Sequence, residues 1–204
     1  MKYASDVAFT ERVKEIQRAK GSRGAYARME AGDGWETEVT DELVDFIATQ
    51  RSFFMATANA EGQPYIQHRG GPPGFLRALD AHTLAFADYR GNRQYISVGN
   101  LVDNPRVHLF LIDYAQQRRV KVWGEARVVE DDPALLARLM PEGYDARPER
   151  AIVIRVTAWD VNCPQHIPLR LEADDLARAI AARDARIAEL EAQLVARTAT
   201  TRGG

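Results

Sequence analysis

Cysteine is nearly missing from this 204-residue chain, in which Cys163 stands alone. An intrachain disulfide and a cysteine-rich metal site are thereby excluded, and a reducing, cytoplasmic compartment is expected. Histidine is also sparse. His68, His82, His108 and His166 are scattered without the close spacings of zinc or iron sites, so no metal centre is expected. No run of about eighteen apolar residues exists to span a membrane. The first ten residues contain Lys2, Ser5 and Asp6 and no apolar core, so no secretory leader is expected. A basic block is missing too. With 27 Lys and Arg against 29 Asp and Glu, the formal net charge is −2, which argues against nucleic acid as a partner.

What is present is core-forming material: 46% of the residues are hydrophobic, enough for one domain with appendages. Val7, Val13 and Ile16 predict an amphipathic helix over residues 6–20, stopped by Gly21-Ser22-Arg23-Gly24 and followed by a polar link. Thr40 predicts the cap of a second helix through Gln50, with Asp41 and Glu42 in its first turn. Strand-like runs then occupy 52–58, 64–68, 75–79, 83–87, 106–112, 118–129 and 150–158. Helices are expected at about 93–101 and 133–140. Seven short strands with so few crossover helices predict an α+β fold, mainly β, built on a closed or nearly closed antiparallel barrel. The expected divisions are an N-terminal helix and link over 1–39, the barrel over 40–168, and a C-terminal helix and frayed tail over 169–204.

In that tail Leu176, Ile180, Ile187, Leu190 and Leu194 recur at helical spacing, with Arg183 in the one polar slot. The segment reads as an amphipathic or coiled-coil helix that packs either on a partner subunit or on the protein's own body. Residues 198–204 are expected to fray.

Candidate chemistry concentrates in Asp88-Tyr89-Arg90-Gly91-Asn92-Arg93-Gln94-Tyr95, between a strand-like and a helix-like run. Asn92 suits a helix N-cap, and free N–H groups flanked by Arg90 and Arg93 would suit a phosphate. An ordinary capped helix with solvated arginines fits the same pattern. Gln67 and Arg69, two apart in a strand, share a face opposite His68, beside the bend Gly70-Gly71-Pro72-Pro73-Gly74. They suit a phosphate or a polar ring edge, and equally a solvated strand end. Arg118 and Arg119 open a long strand in which Gly124 after Trp123 predicts a bulge or a close backbone approach. Cys163 and His166 lack a readable base and oxyanion site for nucleophilic catalysis. Their segment is read as a proline-fixed loop presenting Gln165 and His166 to a neighbouring pocket.

Four stretches taken in order resemble one family. They are Gly62-Gln63-Pro64-Tyr65-Ile66-Gln67-His68-Arg69, Leu84 to Asp88 leading into Arg90-Gly91-Asn92-Arg93-Gln94, Asn104-Pro105-Arg106-Val107, and Val122-Trp123-Gly124-Glu125-Ala126. Over about residues 40–168 the chain resembles the pyridoxamine 5′-phosphate oxidase-like FMN-binding proteins, in their flavin-nucleotide-binding branch. The resemblance implies a split β-barrel that forms a homodimer and holds FMN at the subunit interface. It implies phosphate ligation by Asn92, Arg93 and Gln94, where oxidases of the family carry Ser-Arg-Lys. It places Gln67, His68 and Arg69 along the flavin, puts Arg118 or Arg119 in place of a glutamine-type contact, and adds His166. The Arg- and His-bearing C-terminal segment of true pyridoxamine phosphate oxidases is replaced from Leu171 onward by an Ala/Glu/Arg-rich helix. Vitamin B6 oxidation is therefore not implied. Two functions stay open: a flavin-dependent oxidoreductase acting on a small-molecule substrate or electron donor, and a non-catalytic module that binds, stores or senses a flavin, a deazaflavin or haem.

Overall fold

A computed structural model of the chain describes residues 2–202, with side chains of the C-terminal helix described through Leu194. Seven strands form one antiparallel sheet: β1 (Ser52–Ala58), β2 (Pro64–Gly70), β3 (Arg77–Asp80), β4 (Thr83–Tyr89), β5 (Arg106–Asp113), β6 (Arg118–Val129) and β7 (Pro148–Asn162). Their order is β2-β1-β5-β6-β7-β4-β3. Alternation along β1 buries Phe53, Met55 and Thr57 and turns Phe54, Ala56 and Ala58 outward.

The sheet rolls up without closing its ladder. Phe53 of β1 and Phe86 of β4 are separated by three strands in sheet order, yet their ring centroids lie 5.2 Å apart, edge to face. Arg69 of edge strand β2 likewise reaches Asp88 of β4 in an ion pair. The two ends therefore meet through side chains rather than backbone hydrogen bonds, which makes this a split β-barrel. Phe53, Phe75, Phe86, Leu109, Val122 and Ile154, each 1% exposed or less, form its centre. Gly124 is required where the barrel turns. A Cβ there would stand 2.5 Å from the carbonyl oxygen of Arg155, and the β6–β7 register shifts between Trp123 and Gly124.

The helices cap and flank the barrel. A 3₁₀ turn (Ala4–Val7) and helices α1 (Glu11–Ala19) and α2 (Arg23–Ala31) precede it. Thr10, not residue 6, begins the first α-helix, its side chain accepting from the Val13 N–H at 3.3 Å, and Gly21 at φ 78° ends it. A helix replaces the polar link expected after Gly21. Its helical pattern in sequence is weak, and tertiary contacts hold it: Tyr26 packs edge-on against Phe9, and Arg23 pairs with buried Glu30, which also accepts from Ser5 Oγ at 3.0 Å. Trp35 stacks on Trp123 at 4.6 Å, fastening this N-terminal layer to the outer face of β6. The predicted Thr40 cap is present, with α3 (Asp41–Thr49) following it. Helix α4 (Ile96–Asp103) joins β4 to β5, and α5 (Pro133–Leu139), with its proline in the first turn, joins β6 to β7.

By its contacts the chain divides into two units: residues through Asp113 with Arg118–Pro164, and Tyr114–Gln117 with the chain from Gln165 onward. The second unit contains α6 (Ala173–Arg202). Within it Gln117 donates to the Ile167 carbonyl at 2.6 Å, and the Arg170 guanidinium lies 4.4 Å from the Tyr114 ring centroid. The fraying expected of residues 198–204 falls on positions whose side chains, or for 203–204 whose backbone, lie outside the described residues. Among the described residues no helix is long and apolar enough to cross a membrane.

Candidate functional site

Where β2, β4 and the start of α4 converge, the split of the barrel opens into a cavity of about 260 Å³. Strand β2 contributes Tyr65, Gln67 and Arg69, which alternation aims to the inner side while His68 and Ile66 face out. Strand β4 contributes Asp88 and Tyr89, β7 contributes Glu149, and the connection into α4 contributes Gly91 to Val98.

That connection is built differently from the sequence expectation. Asn92 is not the N-cap. Its Oδ1 accepts from the Gln94 N–H at 3.3 Å in a local turn, and Tyr95 takes the cap position. The helix starts at Ile96 rather than near Arg93 because Arg93 (φ 63°) and Tyr95 (φ 56°) adopt left-handed backbone. Such conformations in non-glycine residues carry a strain of about 1–3 kcal/mol each and are a component of backbone concavities that bind anions. Contacts with Tyr95 hold the strained loop. The Tyr95 hydroxyl accepts from Arg93 Nε at 3.1 Å and donates to Glu149 at 3.3 Å, and the Arg150 guanidinium lies 4.9 Å from its ring centroid.

Behind the loop sits a compact ionic cluster. Arg150, 8% exposed, reaches Glu149 at 2.9 Å and Glu130 at 3.1 Å, with its Nε 3.8 Å from Asp88. Asp88, also 8% exposed, pairs with Arg69. Burial pushes the Asp88 carboxyl above its ordinary value, against the opposing pull of Arg69 and Arg150. Arg69 Nε and Arg150 Nε are buried without a hydrogen-bond partner. Helix α4 is locked over the cavity by two polar contacts: Ser97 Oγ donates to Gln67 at 2.8 Å, and Asn100 donates to Thr57 at 2.9 Å.

Five of the eight sequence-selected residues, Gln67, Arg69, Asn92, Arg93 and Gln94, thus line one cavity. The other three are not among its lining residues. His68 turns outward, its ring edge-on to Phe54 at 5.6 Å. Arg118 pairs with Glu42 and stands over Phe46, 5.0 Å from its ring centroid. His166 belongs to the second unit, exposed and left-handed at φ 64°. Sequence reasoning missed Ser97, Asn100 and Glu149, and it included Tyr95 in the loop without giving it a role. Ser97 and Asn100 did leave a signal, being two polar residues three apart among the apolar residues that precede Asp103 in this helix. A second cavity of about 500 Å³, outside the barrel against Ala56, His108 and Trp123, has one arginine, Arg106, against Asp6 and Glu125 and is less suited to an anion.

The pyridoxamine 5′-phosphate oxidase family profile matches residues 39–163, the whole barrel. No curated protein sequence matches the chain significantly. Among solved structures the chain is similar to HupZ of Group A Streptococcus, at 20% identity over 65% of this chain and 98% of that one, with TM-score 0.50. It is also similar to an FMN-binding protein from Syntrophomonas wolfei subsp. wolfei, at 10% identity over 72% and 97%, TM-score 0.48. A third is HutZ, the haem storage protein from Vibrio cholerae, at 17% identity over 60% and 94%, TM-score 0.43. At 20% identity the likeness to HupZ concerns the fold alone. Matched over more than half its length by the family profile, the chain belongs to the pyridoxamine 5′-phosphate oxidase family.

Proposed function

We propose that this protein binds FMN in the cavity at the split of the barrel and uses it, as a homodimer, for redox chemistry on a small-molecule substrate or electron donor. The observation that carries the reading is the gathering of Arg69 and Arg93 with the left-handed turn at Asn92–Tyr95 around one opening. The donor set fits a phosphate. Arg93 is exposed at the rim, Arg69 has a buried Nε without a partner, and with Gln67 Oε1 held by Ser97 the amide nitrogen is the group of Gln67 left to donate to a ligand. The pairing of Asp88 with Arg69 fixes that arginine in advance, which lowers the ordering entropy of binding.

At about 260 Å³ the cavity falls below the roughly 300–1,000 Å³ of complete small-molecule sites. It suits a phosphate and its linker, with the ring system covered by a second copy of the chain. Bound flavin supplies the electron transfer, and the chain's residues bind, orient and shield it.

Titration with FMN, followed by flavin fluorescence and the visible spectrum, tests the reading. Saturable quenching, the two-banded spectrum of oxidised flavin, and reduction by NADH or NADPH with reoxidation by oxygen or a quinone support it. Flavin binding without turnover supports the cofactor and removes the enzyme. Binding of a deazaflavin or haem in preference to FMN overturns the reading.

A further inference from the structure

Helix α6 carries a stripe of exposed apolar side chains: Leu176, Ile180, Ile187, Leu190 and Leu194 are each 43–63% exposed. With Arg183 their spacings alternate four, three, four, three, four, the seam of a coiled coil and not of a helix lying on a globular surface, whose apolar face is wider. In heptad terms Ile180, Ile187 and Leu194 fall at a, and Leu176, Arg183 and Leu190 at d. Isoleucine at a with leucine at d is the combination that packs best in a parallel two-stranded coil.

Flanking charges decide the orientation. In a parallel pair a g residue faces the e residue five positions on in the other chain, so Arg186 meets Glu191 of the second copy, once on each side. Arg183, at a d position, falls beside Arg183 of the second copy, and each guanidinium is offset by Asp184 of the other chain at the adjacent e position, at a cost in stability that fixes the register. In an antiparallel pair that overlays the same seam, Asp184 faces Asp184 and Arg186 faces Arg186, so like charges oppose. In the single chain Arg186 pairs with Glu189 at 2.5 Å, one turn on, a solvated contact that is readily exchanged.

We infer that α6 is a homotypic docking surface that takes a second copy of itself in parallel register, with Arg183 and Arg186 setting orientation and alignment. Fewer than three heptads are marginal as an isolated coil, so the pairing forms in the full-length protein, where any association of the barrels raises the local concentration of the helices. The inference does not depend on the ligand of the barrel cavity.

Disulfide trapping in the full-length protein tests it. Cys163 is replaced by Ser to remove the exposed native thiol, and Leu176→Cys places a thiol at one end of the seam. Parallel pairing brings the two introduced thiols within bridging distance, and mild oxidation gives a covalent dimer. Antiparallel pairing puts each introduced thiol opposite Leu194 of the second copy, roughly 27 Å from its twin, and gives none. Adding Arg186→Glu should lower the trapped fraction about three- to ten-fold, and adding Glu191→Arg to that variant should restore it. No trapping through Leu176→Cys, or trapping indifferent to the charge reversal, overturns the inference.

Discussion

Asp88 is a carboxylate held in an unfavourable place. Its carboxyl is raised from 3.8 mainly by burial, so between that value and its folded value the native chain holds more protons than the unfolded one. Stability contributed by this group therefore falls as pH rises from 3.8 through the higher folded-state value. Asp88→Asn removes that slope. Urea unfolding of both proteins from pH 4 to about 7 should show the wild-type advantage shrinking as pH rises. A difference independent of pH would mean that the arginines offset the burial completely. Gly124 makes the opposite kind of demand, purely steric. Gly124→Ala drives a methyl into the Arg155 carbonyl and the Ile154 side chain, 2.5 and 2.8 Å away, and should destabilise the fold by about 3 kcal/mol. A midpoint shift under a third of that size would contradict the close approach.

Individual elements explain what the sequence made legible. Six of the seven strands lie within two residues of their expected bounds, because alternation and turn residues such as Glu61-Gly62 mark them locally, whereas β7 runs to Asn162, four residues past its expected end. The short β3 came out shorter than the run 75–79, since Phe75 and Leu76 are buried in the core before the strand begins. Helix α2 was invisible because its stability comes from tertiary contacts, with Phe9 and Ser5 reaching it from well upstream in the chain. The start of α4 was misplaced because Arg93 and Tyr95 adopt backbone that their side chains disfavour, held by Glu149 and Arg150, more than fifty residues on. The cavity's β2 face was legible from period-two spacing; its ionic cluster, which depends on strand pairing across β4 and β7, was not. Helix α4 also carries a prediction. Asn100→Ala leaves the buried Thr57 hydroxyl without its donor and should cost about 1–3 kcal/mol, loosening α4 over the cavity. Thermal unfolding measures the loss, and an unchanged midpoint would show the bond to be dispensable.

At the scale of the whole molecule, a family barrel carries a cavity smaller than a complete small-molecule site, and the tail helix carries an exposed apolar stripe. A protein whose ligand is enclosed by two copies should sediment as a dimer at micromolar concentration. Saturating FMN should also stabilise it, by about 2.7 kcal/mol at a hundredfold excess over Kd. A monomer that binds FMN tightly would contradict the half-site. Whether the loop at Asn92–Tyr95 holds a flavin phosphate is decided by the paired affinity of FMN and riboflavin for the wild type and for Arg93→Ala. Loss of a charge-assisted contact worth about 1.5–3 kcal/mol should weaken FMN about ten- to a hundred-fold and leave riboflavin, which lacks the phosphate, nearly unchanged. Equal losses for both ligands, or none for either, would contradict the assignment.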